Sequence, residues 1–396
     1  MKRIIAVLML LTLVTGLFAG CSQNTQAGTE QVIKIGIFEP FTGKNASGGK
    51  QEALGIAYAN SLQPTVTIGG TTYRVELVVA DNESSEEKAP TAATTLVDHG
   101  VSVVLGPHGS DVAMAGSSVF EEAGIPVVGV TCTNPAVTAG NEHFFRICWL
   151  DTFQGTVLAK FAEEHLDAQT VYCLAEQGDN YSAGLCSYFI ENFTALGGTV
   201  VYETYPAGTT DFTPYLRSAQ RSGAEVFFAP VSIESAVWIT ALAGEMKLDM
   251  PILAGDTWDS NVVAATGRQY NQDIYVTTFF DENVQDEAGK AFVAGFQQYV
   301  GSMDSRMKHN GGNTMVSAIS AMGYDAYFTV LEAMKNAKSA DPEAIREALS
   351  NTSYSGITGD ISFDSVNGDA NRTTAFVKKV DKDFGTWEFI TVQSVN

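Results

Sequence analysis

Basic residues are scarce in this 396-residue chain, 23 Lys and Arg against 45 Asp and Glu, for a net charge of −22. So acidic a surface repels the phosphates of nucleic acid and of anionic lipid, which argues against both as electrostatic partners. No two glycines stand two residues apart, so a GxGxxG dinucleotide fingerprint cannot exist. GxSxG and HExxH are absent as well, and with them the nucleophile elbow and the zincin helix. The stretch 43–50 (GKNASGGK) imitates a phosphate loop, but it has one residue too many between its glycines. Gln51 also stands where Ser or Thr would hold magnesium. Five scattered histidines offer no metal-ligand spacing. His108 lies two residues from Ser110, yet adjacent loop residues rarely face each other and no acid completes the set. Besides Cys21 there are four cysteines, 132, 148, 173 and 186, too few for a disulfide framework. Buried free thiols are expected, with a Cys173–Cys186 bridge as the alternative. The chain reads as a binder with no catalytic residues, no metal and no cofactor.

What is present begins with a leader. Lys2-Arg3 precedes a mostly apolar run, 4–19, interrupted by Thr12, Thr15 and Gly16. It is too short to cross a bilayer and reads as a secretory signal peptide. Leu17-Phe18-Ala19-Gly20-Cys21-Ser22 resembles a bacterial lipobox, with Phe18 where an aliphatic residue is usual. That resemblance implies cleavage before Cys21 and lipidation of its thiol. Residues 1–20 are then a lipoprotein signal peptide and 21–31 a lipidated, flexible tether. Losing Lys2 and Arg3 moves the net charge from −22 to −24.

From Val32 onward, predicted strands and helices alternate. Strands are expected at 32–38, 74–81, 101–105 and 127–130, with helices at 51–62 and 89–98 between them. After a helix at 151–165 the rhythm restarts with strands at 170–174, 200–205, 225–228, 251–254 and 274–277. Helices at 285–300, 314–337 and 341–349 and short strands at 361–363, 374–381 and 386–392 finish the chain. Such alternation over 365 residues means an α/β protein of two similar halves, each a mostly parallel, doubly wound sheet flanked by helices.

The organising stretch is 103–135. Two neighbouring strands end there in hydroxyl-bearing loops, 106–110 and 131–135. Ser110-Asp111 occupies the N-cap position of the helix that follows. Free N–H groups and the positive end of a helix dipole suit such a place to a carboxylate or phosphate.

The motifs IKIGIFEPFTG at 33–43, ELVVADNESSEEKAPTAATTLV at 76–97 and the run 101–155 resemble the type I periplasmic solute-binding proteins of the branched-chain amino-acid class. LAEQGDNYSAGL at 174–185, AGDTWDS at 254–260 and GYDAYFTVLEAM at 323–334 extend the likeness over nearly all of 32–396. The resemblance implies two lobes, 32–151 with 280–352 and 152–279 with 353–396, and a ligand enclosed between them. It places the ligand's carboxylate at Ser110 and Thr133, with backbone groups around Thr131 and Cys132. Its ammonium falls to Asp256, and Tyr181 walls the pocket from the second lobe. Trp258 and Phe153 are weaker candidates, Phe153 being as readily core. Where another aromatic is usual stands Val231, and Glu39 replaces a neutral residue and is expected to lean to solvent, or else to add a second anion. Asp325 is read as structural. The implied function is a monomeric, lipid-anchored extracytoplasmic binder of a small amino acid that delivers it to ABC permease subunits; a sensing receptor of the same fold is the alternative.

Overall fold

The computed structural model describes residues 31–283 and 286–394. The signal peptide and Cys21 lie outside them, as does the tether except for Gln31, which opens the first strand. That strand is β1 (Gln31–Glu39), followed by β2 (Thr65–Ile68), β3 (Thr71–Asp81), β4 (Val103–Leu105), β5 (Val127–Gly129) and β6 (Phe144–Arg146). These six form one sheet in the order β2-β3-β1-β4-β5-β6. The central pairings are parallel, Ile35 beside Val103 and Val104 beside Val127. The second sheet takes β7 (Thr170–Glu176), β8 (Thr199–Tyr205), β9 (Val226–Phe228), β10 (Ile252–Ala254) and β11 (Ile274–Thr278). A separate hairpin, β12 (Ser353–Gly356) and β13 (Gly359–Ser362), precedes β14 (Thr374–Asp381) and β15 (Thr386–Ser394), which return to that sheet. Its order is β15-β14-β11-β10-β9-β7-β8, antiparallel only at the β11–β14 and β14–β15 pairs.

Both sheets bury both faces, as parallel sheets must when helices cover each side. Alternate residues of one strand therefore enter different cores. Val103 and Leu105 pack with Ile35 and Ile37 on one face, while Val104 joins Phe38 and Val127 on the other. Tyr172 and Leu174 likewise part from Val171, Cys173 and Ala175. The first sheet is covered by α1 (Ala46–Leu62), α2 (Ala89–Asp98) and α3 (Ser110–Glu122). The second carries α4 (Asp151–Glu164), α5 (Asn180–Ala195), α6 (Thr213–Ser222), α7 (Ile233–Glu245) and α8 (Asn261–Tyr270). The chain then returns to the first lobe through α9 (Glu287–Gly301), α10 (Asp304–His309), α11 (Ala318–Ala337) and α12 (Pro342–Leu349).

Several boundaries differ from expectation, each for a local reason. Helix α1 starts five residues before the expected 51, through the Gly48-Gly49 pair that reads as loop. Those residues and Gly55 form its contact face: a β-carbon at Gly55 would collide with the Ser320 carbonyl of α11. Strand β6 was not anticipated, nor were β2, α8 and α10. The hairpin β12–β13 was assigned with the second lobe, but it rides on α11 of the first. Asp325 accepts from the Ile357 N–H at 3.1 Å and the Thr358 N–H at 2.8 Å, and Ile361 and Phe363 enter the first lobe's core. All four described cysteines are free and buried, with no Cys173–Cys186 bridge.

Candidate functional site

The carboxyl ends of β1, β4, β5, β7, β9 and β10 all feed loops that meet between the lobes, where open α/β sheets bind ligands. The loops enclose a cavity of about 300 Å³. His108, Ser110 and Thr131 line it from the first lobe, and Glu176, Tyr181 and Thr257 from the second.

Lobe contacts close directly around this cavity. Lys44 reaches across to Glu176 at 3.1 Å and Asp179 at 2.8 Å. Burial alone would lower the Lys44 pKa, yet the Asp179 and Glu176 carboxylates hold it above the ordinary ammonium range. Asp111 accepts from Asn180 Nδ2 at 2.6 Å, and Asn134 Nδ2 donates to the Asn180 carbonyl at 2.8 Å. The Ile233 and Glu234 N–H groups bond Asn45 Oδ1 and the Lys44 carbonyl, each at 3.1 Å. Burial, and after it the Asp179 charge, push Asp111 up to about 6.

On the first wall, Ser110 is the first helical residue of α3, and Gly109 takes the N-cap position. The serine hydroxyl does not cap the helix; it accepts the Asn134 N–H at 3.1 Å and so ties the two loops together. Thr131 lines the cavity, but its hydroxyl donates to Glu52 Oε2 at 2.5 Å. Cys132 turns into the apolar core with Phe144 and Val127. Its carbonyl already accepts from Arg146 Nη1 at 2.9 Å. The same buried guanidinium bonds the Asn134 carbonyl at 2.7 Å, Thr138 Oγ1 at 2.7 Å and Asp369 Oδ1 at 2.6 Å. A planar fork of donors suits this clasp, and it fixes the whole turn. Thr133 is wholly buried beside Asp151, and neither side chain makes a well-formed hydrogen bond within the protein. Burial and then the Asp256 charge push the Asp151 carboxyl well above its ordinary range, with the Thr133 hydroxyl opposing.

On the second wall, Asp256 follows β10 and is 2% exposed; its neighbour Thr257 and its partner Tyr181 line the cavity, while Asp256 itself does not. Gln154 Nε2 donates to its Oδ1 at 2.7 Å and the Tyr181 hydroxyl at 3.3 Å. Burial raises its pKa to about 6, against the lowering effect of those bonds. Tyr181 thus both walls the cavity and contacts the acid. Trp258 does not reach the cavity: it is 0% exposed, sits in the second lobe's core and donates Nε1–H to the Val231 carbonyl at 2.9 Å. Phe153 packs on Trp149, ring centroids 5.8 Å apart.

Glu39 corrects the expectation of solvent exposure. It is 0% exposed and accepts the His108 N–H at 2.9 Å. Beside it lies Glu52, which the sequence reading missed. Its signal was faint but present, since Gly48, Gly49, Glu52 and Gly55 share one α1 face and only glycines admit so close an approach. Burial and the neighbouring Glu52 hold Glu39 well up, and burial brings Glu52 to about 7. Lys44, Asp111, Gln154, Arg146 and Asp179 were missed as site residues too, although Asp111, Arg146, Gln154 and Asp179 lie within the stretches that carry the resemblance. Among the described residues, no group of His, Cys, Asp and Glu could hold a metal ion, and no helix is long and apolar enough to cross a membrane.

The profile of a family described as periplasmic binding protein matches residues 32–384. An amino acid binding protein of Pseudomonas aeruginosa is 29% identical over 316 residues, 78% of this chain and 81% of the relative. A leucine-, isoleucine-, valine-, threonine- and alanine-binding protein of the same species is 24% identical, over 89% of this chain and 90% of its own. Among solved structures, the leucine binding protein LivK of Thermotoga maritima superposes with a TM-score of 0.82 at 30% identity, covering 92% of this chain and 99% of its own. The substrate binding protein LivJ of Streptococcus pneumoniae, in complex with isoleucine, gives 0.79 at 25% identity, with 92% and 99% covered.

Proposed function

Since the chain belongs to the periplasmic binding protein family, we propose that it is the substrate-binding component of an ABC importer, closing its two lobes on one α-amino acid. In this reading it is no enzyme. Lipid on Cys21 holds it at the extracytoplasmic face of a bacterial membrane, where it hands its ligand to the permease. Its lobes are 32–151 with 280–352, and 152–279 with the end of the chain, the hairpin 353–362 riding on the first.

The observation that carries the reading is Asp256, a buried carboxyl whose protein partners, Gln154 and Tyr181, are both neutral. A carboxylate strained upward by burial gains most from a cation brought in beside it, and an α-ammonium is such a cation. Opposite it, the Ser110 and Thr133 hydroxyls and the first turn of α3 favour the ligand's carboxylate. Tyr181 closes the remaining side. The relatives named for leucine, isoleucine, valine, threonine and alanine support a small side chain, as does isoleucine in LivJ.

A thermal-unfolding screen over the amino acids tests this. A ligand present at a hundredfold its Kd adds roughly 2.7 kcal/mol of apparent stability. At least one small amino acid is expected to raise the unfolding temperature; a flat response to all of them contradicts the reading. Membrane fractionation tests the anchor, with Cys21→Ser expected to release the protein from the membrane fraction. Wild-type protein recovered wholly soluble with an unmodified Cys21 contradicts it.

A further inference from the structure

Behind the first-lobe wall lies a group of side chains that head-group recognition leaves unused. Glu39 and Glu52 are both wholly buried. Glu39 Oε2 accepts the His108 N–H, and Glu52 Oε2 accepts the Thr131 hydroxyl at 2.5 Å. The same Thr131 oxygen lies 2.8 Å from His108 Nδ1. A hydroxyl carries one proton, and with Glu52 ionised Thr131 directs it to that carboxylate, so Nδ1 is then the donor of the second bond. Burial holds the imidazole pKa down at about 4, which keeps the ring neutral at pH 7. Nε2 is therefore a bare lone pair. It is buried, it has no hydrogen-bond partner in the protein, and its residue lines the cavity. The ring fits only because Gly48 of α1 has no side chain, for a β-carbon there would strike it. Buried acceptors are almost always satisfied, so one left open beside a cavity points to a donor brought in by the ligand.

We propose that His108 determines side-chain specificity: its Nε2 accepts a hydrogen bond from the ligand, and the site favours an amino acid with a side-chain hydroxyl over its aliphatic isostere. The inference rests on the amino-acid reading above. There Asp256 takes one N–H of the ammonium and a carboxylate has no proton to give; the proposal assigns the bond at Nε2 to the side chain rather than to a second ammonium N–H, which threonine and valine would share equally. Thr131, Glu52 and Glu39 are positioning residues that hold the imidazole in the tautomer with Nε2 open.

L-Threonine and L-valine have nearly the same shape and differ by one hydroxyl, so calorimetry with the full mature chain reads the effect directly. Threonine is expected to bind about tenfold tighter or more. His108→Phe is expected to bring the ratio to about one or reverse it. Thr131→Val, which removes the acceptor that fixes the tautomer, is expected to shrink it. Valine binding as tightly as threonine in the wild type overturns the proposal, as does a threonine preference that survives His108→Phe. If that variant fails to fold, the wild-type ratio and Thr131→Val decide. Binding of none among threonine, valine, leucine, isoleucine and alanine instead overturns the amino-acid reading, and the proposal with it.

Discussion

The two walls of the cleft handle their polar groups differently. On the first, Ser110 is bonded to the Asn134 N–H, Thr131 to Glu52, and the turn that follows Thr131 is clasped through the Cys132 and Asn134 carbonyls by Arg146. On the second, Asp256 has two neutral partners and no cation. The first wall thus takes its shape from bonds within its own lobe and needs no ligand to hold it. The second carries Asp256, a carboxyl with no cation among its protein partners, whereas the buried acids of the first, Glu39 and Glu52, hold the His108 N–H and the Thr131 hydroxyl. In the amino-acid reading proposed above, the two walls serve opposite ends of the ligand, which gains its full set of contacts only when both close on it.

The division is most sharply tested where the charge is. Removing one member of a buried charge pair costs ~3–5 kcal/mol, roughly 10²–10⁴ in affinity. Asp256→Ala is therefore expected to lose amino-acid binding by about that factor in calorimetry while remaining folded, and Asp256→Asn to recover part of it. Less than a fivefold change in a folded protein would remove Asp256 from the site.

On the shape side the expected loss is smaller. Ser110→Ala removes a donor to the ligand carboxylate and also the tie to Asn134. Bonds to charged groups are worth about 1.5–3 kcal/mol, so a loss of roughly tenfold to a hundredfold is expected. If Ser110→Ala instead costs more than Asp256→Ala, the assignment of charge and shape to the two walls is reversed.

Acidity sharpens the same contrast. Burial holds Asp256 near about 6, so below that value it is protonated and cannot pair with an ammonium. Affinity is expected to fall about tenfold per pH unit below 6. Stability of the ligand-free protein moves the other way. A carboxyl whose folded pKa exceeds its unfolded one holds its proton better when folded, so stability falls as pH rises from 3.8 through about 6. Glu52 extends that trend toward about 7. Titrations at pH 5 and 7.5 with equal affinity would show that no group of this pKa meets the ligand.

The smallest effect belongs to the contact between the walls. The Lys44 side chain is 30% exposed, so its bridges to Glu176 and Asp179 are partly screened by solvent. Lys44→Ala is expected to weaken binding by no more than about fivefold, with the difference shrinking at high salt. A loss as large as that of Asp256→Ala would make closure, rather than ligand charge, the dominant contribution.

The fold was largely legible because its elements alternate in one dimension: β-branched runs such as 101–105 and 170–174 fall between amphipathic helices. What escaped was whatever tertiary contact decides. Gly48 and Gly49 look like loop until His108 and Pro40 are seen pressing on them. Phe144–Arg146 is too short to announce itself as a strand, though the sheet recruits it beside β5. Ser110 and Tyr181, which line the cavity, and Asp256, which Tyr181 contacts, were legible as candidates because each follows a strand end. Trp258 shares that neighbourhood, but its indole turns into the core. Glu52 was hidden because a buried acid in mid-helix contradicts the amphipathic pattern, and only its tertiary neighbours, Glu39 and the Thr131 hydroxyl, account for it.

The central claim, that an α-ammonium completes the second wall, is most directly tested by two ligands that differ in that group alone. L-Valine and isovalerate share a carboxylate and a branched side chain, and only valine carries the ammonium. Calorimetric titration of the wild-type protein is expected to give isovalerate an affinity at least about a hundredfold weaker than valine, with Asp256→Ala erasing most of that gap. Isovalerate binding within fivefold of valine would contradict the account.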